Sequence, residues 1–128
     1  MKKLLFLAIA FCAMMTAQGQ TSFSCTERAT CLLDDNMEVI DCIHREEASL
    51  FVINSAETMI THTTDETKTT YYVKARDVED DTFTYTVKSD TGNDYIFHFD
   101  TSDMTVMALY TDEDADVWAV RFKVKAIF

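Results

Sequence analysis

Proline is absent from this chain, and glycine occurs only at Gly19 and Gly92. That excludes glycine-rich phosphate loops and the Gly-x-Ser-x-Gly elbow of α/β hydrolases, because both need a backbone that comes close to its ligand or folds sharply. It also excludes Pro/Gly-rich linkers between domains. Basic residues are few, 11 against 22 acidic ones, for a net charge of −11. Nucleic acids and anionic membrane surfaces need basic patches, so neither is an expected partner. The longest apolar run, Leu4–Met15, falls short of the roughly 20 residues a spanning helix needs, so no stable membrane anchor is expected.

What is present begins with an export signal. Lys2 and Lys3 precede that apolar run, and Ala17 and Gly19 follow it as small residues two apart. This is the pattern of a cleavable leader, read as residues 1–19 and cut before Gln20. Cys12 follows Phe11, where a lipid-attachment site wants a small residue, so lipidation is discounted. The leader carries two of the 11 basic residues, which leaves the domain at residues 20–128 with nine against 22 and a net charge of −13. Its length suits one domain with one core, exported to the periplasm or the exterior.

Three cysteines remain beyond the leader: Cys25, Cys31 and Cys42. In an oxidising compartment these read as disulfide material rather than a zinc site. Three single bridges can be drawn, each leaving one thiol over, either buried and inert or available for a disulfide-linked dimer.

With proline absent and one glycine left, turns must come from Asp, Asn, Ser and Thr, which bond back to the local backbone. They cluster at Asp34–Asn36, Asn54-Ser55, Asp65-Glu66, Asp77–Asp81, Ser89–Asn93, Asp100–Asp103 and Thr111–Asp116. The runs between them are rich in β-branched and aromatic residues. Strands are expected at Leu50–Asn54, Thr58–Thr63, Thr70–Arg76, Thr82–Lys88, Asp94–Phe99, Met104–Tyr110 and Val117–Lys125, with a further one at Met37–His44. In Thr82–Lys88, Phe83, Tyr85 and Val87 alternate with polar residues; Tyr95, Phe97 and Phe99 repeat this, and Gly92 in the link suits a left-handed turn position. The expected fold is therefore all-β: one antiparallel meander of about seven or eight strands, barrel-like or a sandwich, behind an irregular disulfide-bearing N-terminal segment at Cys25–Asn36. The Gly-x-Trp signature of lipocalin barrels is missing, since Trp118 is the only tryptophan.

Function has fewer handles. Tyr72, Ile96, Met107 and Leu109 are apolar on the side opposite the main stripe, which marks either a surface covered by the cysteine-bearing segment or the C-terminal Ala126-Ile127-Phe128, or an open face for a ligand or partner. His44, His62 and His98 lack metal-ligand spacing and read as rim residues. Asp112, Asp114 and Asp116 resemble the opening of a calcium loop. An EF-hand would place glycine and glutamate where Val117 and Lys123 stand, so an acidic turn tip is expected instead. No ordered nucleophile–base constellation and no cofactor motif is found. The expectation is a small acidic, non-enzymatic binding or interaction module. The alternatives are a barrel that carries a small apolar ligand and, third, a secreted hydrolase or metal-dependent enzyme.

Overall fold

The computed structural model describes residues 19–128, so all of the leader except Gly19 lies outside the described residues. Eight strands follow: β1 Thr21–Leu33, β2 Val39–Ile53, β3 Met59–Thr63, β4 Lys68–Glu79, β5 Thr82–Ser89, β6 Asp94–Asp100, β7 Thr105–Thr111 and β8 Val117–Ile127. Each pairs antiparallel with the next, and β8 returns to β1, so the meander closes into a barrel. Closure removes most of the unpaired edge that an open sheet of this length would expose.

The segment expected to be irregular is strand β1. Its alternation is hidden by a bulge at Thr26, where the register shifts against both neighbours. Before it, Phe23 and Cys25 are buried in the core. After it, the inward positions pass to Arg28, Thr30 and Leu32, opposite Phe122, Val120 and Trp118. The two strand pieces expected at Met37–His44 and Leu50–Asn54 are one strand, β2. Arg45–Ala48 consists of residues with better helix than strand propensity, and pairing with β1 overrides that preference. The turn expected across Asp77–Asp81 is narrower: β4 runs to Glu79, and only Asp80-Asp81 turns.

The scarcity of glycine is met by one recurring turn. At Asp34, Asn54, Ser89 and Asp112 the carbonyl accepts the N–H three residues on. That third residue is left-handed: Met37, Glu57, Gly92 and Ala115, with φ between 56° and 93°. In each case the first residue's side-chain oxygen also accepts a later N–H of the loop, as Asp34 Oδ1 does from Asn36 and Glu38. Side-chain capping thus supports a conformation that costs a non-glycine residue roughly 1 kcal/mol or more.

The barrel is filled across its middle, with a pocket of about 200 Å³ at one end and a larger opening at the other. Phe51, fully buried, lies 4.9–5.9 Å from the rings of Phe97, Phe99 and Phe122, all in edge-on geometry. Below this aromatic plug the β2–β3 turn lines the smaller pocket. There Glu57 accepts a 2.7 Å hydrogen bond from the Tyr85 hydroxyl and a 2.6 Å contact from Arg76 Nε. At the other end β2 pairs with β3 only over Leu50–Ile53, so the wall beyond Ser49 has no neighbour on that side among the described residues.

Candidate functional site

Above the plug, at the end where the β3–β4 turn lies, the barrel holds an open cavity of about 340 Å³. Inward positions of seven strands, all but β5, supply its lining, because the pleat sends alternate residues to the lumen. Phe51, Phe97 and Phe122 form the floor. Tyr71, Tyr95 and Tyr110 form one wall, and Arg28, Glu47 and His62 bring charge and nitrogen to the other. The tyrosine rings support one another edge-on or tilted, with centroids 5.2 Å apart for Tyr71–Tyr95 and 5.3 Å for Tyr95–Tyr110. Burial, with smaller contributions from Tyr95 and Asp90, pushes the Tyr71 hydroxyl up to about 12.

The polar wall is unusual for the inside of a small barrel. Arg28 lies over the Phe122 ring at 5.7 Å and reaches Glu47 through Nη1 at 3.4 Å. Arg45 Nη2 makes the shorter contact to Glu47, at 2.6 Å. Burial works against the Glu47 charge, but hydrogen bonds from Arg45 and Arg28 outweigh it and hold the carboxyl below its usual range. His62 stacks on Phe51 at 4.1 Å with its ring nearly parallel, and meets Phe122 edge-on at 5.1 Å. Burial, reinforced by the Arg28 charge, lowers its pKa to about 4, so the imidazole is neutral at physiological pH. Its buried Nε2 has no hydrogen-bond partner among the described residues.

The residues singled out from sequence are distributed otherwise. Tyr72, Ile96, Met107 and Leu109 face outward on the barrel wall. Ile96 stands directly opposite Leu109, and Met107 opposite His98, whereas Tyr72 stands opposite Lys88 on the far side of β5. Three of the four therefore form an outer patch and Tyr72 is apart from it. Neither expected cover lies over that patch: the cysteine-bearing segment is barrel wall, and the C-terminal residues extend β8 beside Phe23.

The three histidines occupy opposite faces. His62 points inward, while His98 points outward and shares a 3.0 Å hydrogen bond with the Thr84 hydroxyl. His44 is exposed on the outside of β2. Asp112, Asp114 and Asp116 do converge, with ligand atoms within 4.8 Å of one another. Both Asp112 oxygens are engaged in the turn: Oδ1 accepts from the Asp114 and Asp116 amides, and Oδ2 accepts from Trp118 Nε1 at 2.8 Å.

Among the cysteines, Cys31 and Cys42 are bridged across β1 and β2, where they are directly opposite in register. Cys25 is a free thiol in the core, 1% exposed, and burial pushes its pKa up to about 11. A protonated, enclosed thiol is a poor nucleophile.

The cavity residues were only partly visible in advance. His62, Tyr71, Tyr95 and Tyr110 fall on alternating positions of expected strands. Arg28 and Glu47 do not. Arg28 lies in the segment expected to be irregular, past the Thr26 bulge. Glu47 lies in the gap between the strands expected at Met37–His44 and Leu50–Asn54, where β2 sets two residues against Thr26. Comparison of the chain with protein-family models, with curated proteins and with solved structures finds no match in any of the three.

Proposed function

We propose that this protein is an exported, non-enzymatic binding module that takes up a small ligand in the open end of its barrel. One observation carries the reading: a cavity of about 340 Å³ whose lining combines an aromatic floor with a few convergent polar groups. That combination suits a site where apolar surface supplies affinity and a few polar atoms fix orientation, and the volume falls at the lower end of the usual ligand range of roughly 300–1,000 Å³. The neutral His62, whose buried Nε2 has no partner among the described residues, supports it further, since an unmet buried nitrogen is a cost that a ligand donor or acceptor offsets. The Cys31–Cys42 bridge accords with life in an oxidising compartment.

The test is a fluorescence titration of the purified protein with the neutral probe N-phenyl-1-naphthylamine. Saturable binding is expected, and Ala108→Phe, which fills the cavity from β7, is expected to weaken it at least tenfold. Ile96→Asp, on the outer wall, should leave the affinity unchanged. Loss of binding in Ile96→Asp but not in Ala108→Phe would move the site to the outer patch and overturn this assignment.

A further inference from the structure

The chemistry of the cavity narrows what it accepts. Arg28 presents five N–H donors in a planar fork. Among the described residues it has one side-chain acceptor, Glu47, whose Oε1 it meets at 3.4 Å, while Arg45 holds the other oxygen of the same carboxylate at 2.6 Å. Two guanidiniums thus share one carboxylate, which leaves most of the Arg28 donors without a side-chain acceptor among the described residues. Glu66, the other acidic group lining the cavity, sits exposed on the β3–β4 turn, where water screens it.

The rest of the lining sets shape. The Tyr71 ring meets Phe97 edge-on at 4.8 Å, and the aromatic walls leave a short space that ends on Phe51 and Phe122. An extended acyl chain would need a channel through the barrel, and that path is filled by the plug. A flat ring fits between aromatic faces and edges. A cation would meet the Arg28 charge, and a second carboxylate would meet Glu47.

We propose that the occupant is a small planar aromatic monocarboxylate, its carboxylate paired with the Arg28 guanidinium and its ring set among Phe51, Phe122, Tyr71 and Tyr95. This rests on the cavity being a ligand site, as argued above, and deepens that reading by naming the class of ligand. Arg28 is the anchor and Glu47 its internal competitor.

The experiment is calorimetric titration with three matched probes: trans-cinnamate, the neutral trans-cinnamamide and the cationic cinnamylamine. Cinnamate should bind about tenfold or more tightly than the amide, the ratio expected of one charge-assisted bidentate contact, with the amine weakest. Arg28→Gln should bring cinnamate down to the affinity of the amide and leave the amide unchanged. Glu47→Gln should act in the opposite direction, tightening cinnamate several-fold by releasing Arg28, a gain that misfolding could not produce. Equal binding of acid and amide, or a Glu47→Gln variant that weakens cinnamate, would overturn the assignment. Binding of N-phenyl-1-naphthylamine without any binding of cinnamate would overturn it too, yet leave the cavity as a ligand site. If neither probe binds, the ligand site itself fails and this proposal with it.

Discussion

His62 shows how one side chain can be placed by its neighbours into a state its sequence context does not announce. Stacked on Phe51 and close to the Arg28 charge, it holds a pKa of about 4 against an ordinary value of 6.5. The folded protein therefore binds fewer protons than the unfolded chain between those two values. Stability contributed by neutral His62 is complete above about pH 6.5 and is lost as pH falls toward 4, by up to about 3 kcal/mol. Chemical denaturation across that window should give a rising stability curve for the native protein and a flatter one for His62→Phe, which keeps the stack but cannot titrate. Parallel curves would mean that other groups carry the acid sensitivity. Cys25 is the complementary case: the same kind of burial raises its pKa and keeps the thiol protonated.

At the scale of elements, the instructive strand is β2. Its far part, Val39–Ser49, is bonded to β1 and, among the described residues, to no strand on the other side. The close Cα approach of 4.1 Å at Cys31–Cys42 marks a pair whose amides point away from each other. The alternation then turns the amides of Cys42 and His44 outward, and those of Ile43 and Arg45 toward β1. Amide exchange followed by NMR should find Cys42 and His44 exchanging much faster than Ile43 and Arg45. Uniform protection along β2 would show that this edge is covered in solution. The turns follow a different logic. Gly92 announces its left-handed position, but Met37, Glu57 and Ala115 occupy equivalent positions with nothing in their own chemistry to announce it. There the signal is the residue three earlier, an Asp or Asn whose side chain caps the loop.

For the molecule as a whole, stability and function occupy different ends of one barrel. Phe51 is the centre of the plug, touching Phe97, Phe99, Phe122 and His62. Phe51→Ala should cost about 3–5 kcal/mol in a cooperative unfolding transition, as for other buried aromatic deletions. A cost below about 1 kcal/mol would mean that the aromatic plug does not organise the core. The open end, by contrast, holds the charges and hydroxyls that a folding core would avoid.

The sequence by itself determined the antiparallel β class, the strand–turn rhythm over Thr82–Phe99 and the inward faces of β5, β6 and β8. These follow from a period of two and from short polar side chains, which act over a few residues. Tertiary structure decided the rest: closure of β8 on β1, the disulfide partner of Cys31, the continuity of β2 and the gathering of Arg28, Glu47, His62 and three tyrosines in one cavity. Each depends on register between distant strands, and a single bulge at Thr26 is enough to reverse which side chains face the lumen. A local pattern carries no record of that shift, because what fixes it is the partner strand.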